Sequence, residues 1–419
     1  MLLRFGVSNY LSIKDRQELS MVASSSLKDD ESGLIIAESL KDRLVPAAIV
    51  YGANASGKTS ILTAFSTMCR TILFSHSMLA PQQATGALPF ALDPESLEKP
   101  TTFDVDFVMH GQRYSYNFAM TAKTVVSEEF VAYPRGRPQL WFSRIEQNFD
   151  FGKGMTGLNS VIDDLVRPNS LFFSAANQND HDLLSPVARF FYSAPMLWGA
   201  SALPARTRRY AFQDEIDERA IQFLDQIGSG IVGQKIMGEG SDRFNTEEAA
   251  TLSSLSSLLG GTEVGQSKRN LQFAHLGKSG KRVYFHIDQE SSGTRRLLEL
   301  LPEIYRSLDT GALLVVDELD ASLHTKACEA ILGLFSSPKT NPYGAQLVAT
   351  THDTNLLRSP LLRRDQIWFT EKNTEGATEL YPLSDFRSRQ TDNFEQGYLQ
   401  GRYGAIPFAG SARELIESM

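Results

Sequence analysis

The sequence predicts an α/β fold built on a parallel sheet, and three segments carry this prediction. Residues 45–51 form an apolar run that leads into a glycine loop and then into helical periodicity. Residues 313–316 are four apolar residues that end in two carboxylates, and residues 346–352 form a third strand pattern that ends in a histidine. Such runs are typical of parallel strands that are covered on both faces. Ligands bind at the carboxyl ends of these strands.

The other elements follow along the chain. Residues 2–8 predict a first strand, and residues 17–22 are its candidate partner. Residues 61–74 predict a helix, and residues 75–100, which contain four prolines, predict connecting structure. Alternation of apolar and polar residues then predicts an antiparallel meander, whose strands are expected at residues 102–109, 113–120, 124–133 and 139–146.

The chain divides into three predicted parts. Residues 1–204 are expected to form an N-terminal lobe with the glycine loop and the meander, and residues 282–419 a C-terminal α/β lobe. Residues 205–281 are expected to form a small, mostly helical insertion, because residues 214–227 and 246–259 have helical spacing. No heptad pattern persists there, so a long coiled-coil arm is not predicted.

Composition excludes several classes of protein. The chain has 419 residues, 42% hydrophobic and 21% charged, which is typical of a globular protein with a sizeable core. Its net charge of −8 argues against a surface devoted to nucleic acid. Cys69 and Cys328 have no metal-binding or disulfide spacing and are expected to be buried in a reducing cytosol. No run approaches about 18 apolar residues and no signal-peptide layout is present, so a cytoplasmic protein without a membrane span is predicted.

Residues 52–59 form a complete G-x-x-x-x-G-K-[ST] loop between a predicted strand and a predicted helix, the context that indicates a nucleotide site. Backbone N–H groups and the helix N-terminus favour phosphate binding there. Lys58 supplies positive charge to the outer phosphates, and Thr59 offers a hydroxyl to Mg²⁺. The predicted nucleotide contacts are Gly52, Asn54, Ala55, Ser56, Gly57, Lys58, Thr59 and Ser60.

Further candidate residues follow the other strands. Asp317 is expected to hold Mg²⁺ through water, and Glu318 to orient and deprotonate an attacking water. His352 is expected to contact a γ-phosphate and to sense its loss. Gln178, in a polar loop, is a candidate for completing the coordination of Mg²⁺ and water.

Residues 290–297 place small polar residues before an amphipathic helix, where a serine hydroxyl and free N–H groups form a second anion site. Ser291 and Gly293 match the serine and the second glycine of the ABC signature in a degenerate form. Glycine loop, signature, acidic strand and histidine, in that order, resemble the motifs of ABC-type ATPases.

The resemblance to one branch of these ATPases is closer, and it covers nearly the whole chain, with residues 205–280 matching least. Residues 9–13 (N-Y-L-S-I) are similar to an N-terminal element of RecF, SMC and OLD-like ATPases. Five further segments are typical of the OLD/RecF-like AAA15 subfamily: residues 291–294, 317–324, 350–353, 364–369 and 401–407. Their combination is similar to the RloA-type members of this subfamily, which resemble the ATPase subunit of the PARIS antiphage system.

This resemblance implies an ABC-type P-loop ATPase head that uses ATP and Mg²⁺. It implies that Ser291 and Gly293 act in trans, across a head-to-tail dimer or higher homo-oligomer. It also implies a sensor or scaffold role in antiphage defence, in which the ATPase controls a separate effector such as a TOPRIM-type nuclease or toxin.

Three other functions are weighed against this one. A RecF/SMC-like DNA-maintenance ATPase would contact DNA phosphates through basic residues, and the alternative interpretation of these residues is ordinary solvated surface. They are Arg206, Arg208, Arg209, Lys268, Arg269, Lys278, Lys281 and Arg282. An OLD-type nuclease needs a further domain, for which the residues after His352 are too few. A transporter motor would carry aspartate in the D-loop where this chain has His324. The D-loop role is therefore left to Asp320 and Ser322. His324 itself is either a functional residue or a helix-start residue on the dimer face.

Overall fold

The protein, seen in a computed structural model, is described at residues 1–37, 40–197, 216–237, 270–389 and 392–406. The chain forms two compact units. The first combines Met1–Gly199 with Arg306–Met419, and the second is Ala200–Tyr305. The first unit therefore joins both ends of the sequence, and both predicted lobes contribute to it.

The strands of the described residues are β1 (Leu2–Ser8), β2 (Gln17–Ser20), β3 (Ile35–Ile36), β4 (Arg43–Leu44), β5 (Ala47–Gly52), β6 (Thr101–Met109), β7 (Gln112–Met120), β8 (Val125–Ala132), β9 (Gln139–Ile145), β10 (Asn148–Phe151), β11 (Met196–Leu197), β12 (Ile231–Met237), β13 (Asn270–Leu276), β14 (Arg282–His286), β15 (Leu313–Val316), β16 (Gln346–Thr350), β17 (Ile367–Lys372) and β18 (Thr378–Pro382). The helices are α1 (Lys58–Met78), α2 (Pro94–Leu97), α3 (Asn159–Asp163), α4 (Phe172–Gln178), α5 (Leu184–Tyr192), α6 (Glu218–Gln226), α7 (Ser292–Thr310), α8 (Thr325–Ser336) and α9 (Phe394–Leu399).

A six-stranded sheet organises the first unit, in the order β11-β15-β16-β5-β17-β18. All neighbouring pairs are parallel except β17 and β18. Every residue of β5, β15 and β16 is buried, as expected for strands covered on both faces. The three predicted strands are therefore neighbours, and their carboxyl ends lie at one edge.

A seven-stranded antiparallel sheet, in the order β10-β9-β8-β7-β6-β1-β2, contains the predicted meander. Six of its strands agree with the predicted ranges to within two residues at each end, whereas β10 was not predicted. β1 pairs with β2, which confirms the candidate partner, and also with β6. The mixed α/β fold with an antiparallel meander is thus as predicted.

Helix α1 packs into the main apolar core through residues such as Phe65, whose ring meets Phe5 of β1 edge to face at 5.2 Å between centroids. The helix is longer than residues 61–74, since it starts inside the glycine loop and continues to Met78. The expected connecting segment also contains α2, which Asp93 caps by accepting the N–H of Glu95 at 3.1 Å.

The described part of the second unit differs from the helical insertion that the sequence suggests. α6 is present, capped by Asp217, but β12, β13 and β14 form a three-stranded antiparallel sheet. The predicted helix at residues 246–259 lies outside the described residues. The second unit runs from Ala200 to Tyr305, whereas the predicted insertion runs from 205 to 281. The unit extends beyond 281 because it includes β14 and the first part of α7.

Both cysteines are free and buried, as expected. Among the described residues no helix combines the length and the apolar character that crossing a membrane requires.

Candidate functional site

The glycine loop joins the end of β5 to the start of α1. Gly57 is the N-cap of α1, has φ 113°, and offers no side-chain acceptor to the first-turn N–H groups, and the first turn itself contains no acidic residue. A Cβ on Gly57 would collide with the side chain of Thr378, and one on Gly52 would come within 2.6 Å of Ser56 and Thr370. The loop thus combines glycine-only packing with a helix start open to an anion.

Lys58 is buried and turns back onto its own loop, where Nζ donates to the carbonyls of Gly52 at 2.8 Å and Ala53 at 3.0 Å. Burial lowers the pKa of Lys58, and the nearby charges of Asp317, Asp320 and Glu318 oppose that change. Lys58 lines the same cavity as Asp317 and Glu318, so its ammonium group is influenced by the negative charge of the acidic strand end.

Asp317 directly follows β15 and is only 7% exposed. Its Oδ2 accepts the hydroxyl proton of Thr59 at 3.1 Å, and its Oδ1 accepts that of Thr350 at 2.6 Å. Each carboxylate oxygen thus has a hydroxyl partner. The predicted metal-binding pair, Thr59 and Asp317, is in direct contact.

Glu318 adopts the left-handed conformation, with φ 52°, and its side chain is exposed. Its N–H donates to Thr350 Oγ1 at 2.7 Å. The turn sends the two adjacent carboxylates in different directions, Asp317 into the protein and Glu318 to the surface. This separation fits two different chemical roles.

His352 follows β16 and is exposed. Its N–H faces both carboxylate oxygens of Asp320 at 3.2 Å. Most of the predicted loop residues meet the strand-end residues around a cavity of about 250 Å³, and the predicted contact Gly52 is not in its lining. The lining residues are Ser12, Asn54, Ala55, Ser56, Gly57, Lys58, Thr59, Ser60, Asp317, Glu318 and His352.

Hydroxyl residues that were not among the predicted site residues support the loop. Ser12 bonds Ser60 at 2.9 Å and Thr378 at 2.8 Å. Thr370 bonds the Ser56 hydroxyl at 2.7 Å, and Thr378 donates to the Ser56 carbonyl at 2.9 Å. Ser12 lies in the N-Y-L-S-I segment, so that motif was the signal available for it. Thr370 of β17 directly follows the segment 364–369, and Thr378 of β18 lies outside every motif segment.

Three predicted residues lie elsewhere. Gln178 is the exposed last residue of α4 and does not line the cavity. Ser291 and Gly293 belong to the second unit, at the start of α7, where Ser291 Oγ accepts the N–H of Thr294 at 3.1 Å. Their roles in a nucleotide site stay predictions.

His324 is exposed and caps α8, since its Nδ1 accepts the N–H of Lys326 at 3.1 Å. This is the helix-start position that the sequence left as one of two alternatives. Of the basic residues weighed for DNA contact, Lys278, Lys281 and Arg282 are exposed around the β13–β14 turn. The other five lie outside the described residues.

The residues at the loop fit Mg²⁺. A hydroxyl and a carboxylate are the hard oxygen ligands that this ion prefers, and it is usually held by one or two carboxylates together with substrate phosphates. Within the described parts of the chain, no group of three or more histidine, cysteine or acidic residues gathers into a metal-binding cluster. The pair Thr59 and Asp317 accordingly suits an ion that arrives with a phosphorylated ligand.

The C-terminal motif folds onto the strand beside the glycine loop. Tyr403 is buried and stacks on Phe369 of β17 at 5.8 Å between centroids. The N–H of Ala405 donates to Glu371 Oε2 at 2.9 Å. Phe369 pairs in register with Tyr51, the residue before Gly52, so the motif supports the strand that carries the loop. Pro407, its last residue, lies outside the described residues.

Three SMC heads are among the solved structures that match the chain. The SMC head domain from Thermotoga maritima is 12% identical, with a TM-score of 0.42, over 91% of this chain and 98% of that one. The SmcHead bound to the C-winged helix domain of ScpA is 12% identical, with a TM-score of 0.37, over 91% and 97%. The Smc head domain with an extended coiled coil bound to the C-terminal domain of ScpA, derived from Pyrococcus furiosus, is 10% identical, with a TM-score of 0.36, over 91% and 96%.

No curated protein matches the chain significantly. Residues 47–358 match the family model described as "AAA domain, putative AbiEii toxin, Type IV TA system". The matched range contains the glycine loop, the acidic strand end and the histidine, and it covers well over half of the chain. The chain therefore belongs to this AAA-domain family.

Proposed function

We propose that the chain is a Mg²⁺-dependent ATPase subunit that works as a nucleotide-dependent sensor or scaffold in bacterial antiphage defence and controls a separate effector. The observation that carries the ATPase part is the cavity at the strand edge. It gathers the glycine loop, both carboxylates and the histidine from three neighbouring strands.

In this proposal each residue has one task. Lys58 and the N-terminus of α1 bind the phosphates, while Thr59 and Asp317 hold Mg²⁺, which neutralises phosphate charge when it is bound. Glu318, turned to the surface, orients and deprotonates the attacking water. His352 contacts the γ-phosphate and reports its loss.

The size of the cavity supports a site shared between two copies. Its volume of about 250 Å³ lies below the roughly 300–1,000 Å³ of pockets that enclose a whole ligand. Ser291 and Gly293 of a second copy would complete it across a head-to-tail dimer. ATP would then stabilise the closed state, and hydrolysis would release it.

The role in defence rests on family likeness. The family description names a toxin and a Type IV toxin–antitoxin system, and the AAA15 and RloA-type resemblance implies an effector such as a TOPRIM-type nuclease. A RecF/SMC-like role in DNA maintenance is the second candidate. The observation that favours it is the exposed basic turn with Lys278, Lys281 and Arg282.

The experiment measures nucleotide binding, ATP turnover and oligomeric state. Lys58→Ala is expected to abolish nucleotide binding, while Lys153→Ala, at an exposed turn, serves as its control. Glu318→Gln is expected to bind ATP, to lose turnover by roughly 10²–10⁴-fold, and to accumulate a closed dimer or larger oligomer. Glu98→Gln, at an exposed position after α2, is the matched control.

Two results would count against this function. Turnover at the wild-type rate in Glu318→Gln would show that the assigned base is wrong. Strong stimulation of ATPase activity by double-stranded DNA, lost when Lys278, Lys281 and Arg282 are changed to alanine, would favour the DNA-maintenance role instead.

A further inference from the structure

Thr350 contacts both adjacent acidic residues of the site. It is the last residue of β16, the strand next to β15, and its side chain is 0% exposed. Its Oγ1 lies 2.6 Å from Asp317 Oδ1 and 2.7 Å from the backbone nitrogen of Glu318. Its carbonyl accepts the N–H of Leu319 at 2.9 Å. Three consecutive residues of the acidic turn are therefore bonded to Thr350.

The directions of these bonds follow from the chemistry of the groups. An ionised carboxylate only accepts hydrogen bonds, a backbone N–H only donates one, and a hydroxyl donates one and accepts up to two. The hydroxyl proton of Thr350 therefore points to Asp317, and a lone pair of the same oxygen receives the N–H of Glu318. No other orientation satisfies all three groups.

We propose that Thr350 is a positioning residue that sets the two carboxylates for their separate tasks. Its bond to Oδ1 leaves Oδ2 of Asp317 directed at Thr59. Its bond to the Glu318 N–H holds that residue at φ 52°, a left-handed conformation that is unfavourable for a non-glycine residue. This inference rests on the proposed ATPase function, because that proposal supplies the tasks.

The test compares three substitutions at one position. Thr350→Val keeps the shape and removes the hydroxyl, Thr350→Ala removes it without adding a methyl group, and Thr350→Ser keeps it. Loss of a group that orients metal ligands typically lowers activity or metal affinity by about 10–100-fold. We expect this loss in kcat for Val and Ala, with KM for ATP changed by less than about threefold, and near wild-type kcat for Ser.

A second measurement does not depend on turnover. Binding of Mn²⁺, followed by electron paramagnetic resonance in the presence of a non-hydrolysable ATP analogue, is expected to weaken about 10–100-fold in Val and Ala but not in Ser. The control is Thr71→Val in α1, since Thr71 is also buried but its hydroxyl bonds only the carbonyl of Thr67, at 2.7 Å. It should behave as wild type in both measurements.

The outcomes separate the two proposals. An active wild type whose Val and Ala variants keep normal kcat and Mn²⁺ affinity would overturn the role of Thr350 and leave the ATPase function standing. Equal losses in Ser, Val and Ala would also overturn it, since the hydroxyl would not be the cause. A wild type that neither binds nor hydrolyses ATP would overturn both. If Val fails to fold, the comparison of Ala with Ser decides.

Discussion

At the residue scale, His181 is a buried polar side chain that is held by specific donors and acceptors, and its burial predicts a pH-dependent contribution to stability. It is 4% exposed, and its Nδ1 faces the N–H groups of Leu183 and Leu184 at 3.2 and 3.4 Å. Its Nε2 lies 2.9 Å from Asn159 Oδ1. Because Nδ1 accepts, the neutral ring carries its proton on Nε2.

Burial lowers the pKa of His181 below its ordinary value of 6.5, and Asp182 partly opposes this. The unfolded chain therefore binds a proton before the folded protein does. The contribution to stability is full above pH 6.5 and is lost as the pH falls from there toward the lowered pKa. Urea unfolding between pH 5 and pH 8 should show this loss in the wild type.

The variant His181→Asn should flatten that part of the profile, because the titrating group is gone. His110→Asn, at the exposed turn after β6, should leave the profile unchanged. If wild type and His181→Asn lost stability in parallel between pH 6.5 and pH 5, another group would be responsible.

The same scale shows why some site residues were missed. The glycine loop and the acidic pair have sequence patterns whose chemistry is local. Ser12 and Thr350 lie within the motif segments 9–13 and 350–353, but these motifs do not say which groups the two hydroxyls bond. Thr370 and Thr378 lie outside every motif segment, and the order of strands in the sheet places β17 beside the strand that carries the loop.

At the element scale, a buried carboxylate ties the antiparallel sheet to α4. Glu128 of β8 accepts the first two N–H groups of α4, those of Phe172 and Phe173, at 2.8 and 2.9 Å, and the hydroxyl of Tyr116 at 2.7 Å. Arg144 of β9 lies 3.6 Å away, and both charged side chains are 0% exposed. Burial raises the pKa of Glu128, and the charge of Arg144 opposes that rise.

Replacing Glu128 by alanine leaves the Arg144 charge buried without its carboxylate, and we expect a loss of about 3–5 kcal/mol in the free energy of unfolding. The double variant Glu128→Leu with Arg144→Met removes both charges and should recover much of this loss. Chemical denaturation measures both. If Glu128→Ala lowered the free energy of unfolding by less than about 1 kcal/mol, the buried pair would not contribute substantially to stability.

Elements were predicted best where one strong pattern decides them. The parallel strands β5, β15 and β16 were found because their buried positions form continuous apolar runs, and the meander because its strands alternate. The sheet of β12, β13 and β14 was missed, because β12 and β14 lie in glycine-divided stretches where short runs favour neither period clearly. Pairing between β12 and β13 also spans a long stretch of sequence, which local patterns do not record.

At the scale of the whole molecule, the residues proposed for ATP binding come from both units of the chain. Lys58 lies in the first unit and Ser291 in the second. In a symmetric head-to-tail dimer, each ATP site would use Lys58 of one copy and Ser291 of the other, and the same pair of contacts would occur twice. An arrangement within one copy would use both residues of the same chain. Mixing two inactive variants distinguishes the arrangements.

Lys58→Ala and Ser291→Arg are each expected to be inactive alone, since one disables the phosphate loop and the other blocks the signature. In a mixed dimer of the two, one site combines the intact Lys58 with the intact Ser291, and the other site carries both defects. Random pairing makes about half of the dimers mixed, so an equal mixture should recover about a quarter of wild-type ATPase activity if sites work independently. Mixing either variant with itself is the control. Differently tagged chains show whether mixed dimers have formed. If they have formed and no activity is recovered, then either the site forms within one copy or both sites of a dimer must be intact.

A linked dimer with only one site disabled separates these two cases, because only independent sites are expected to keep full activity per intact site.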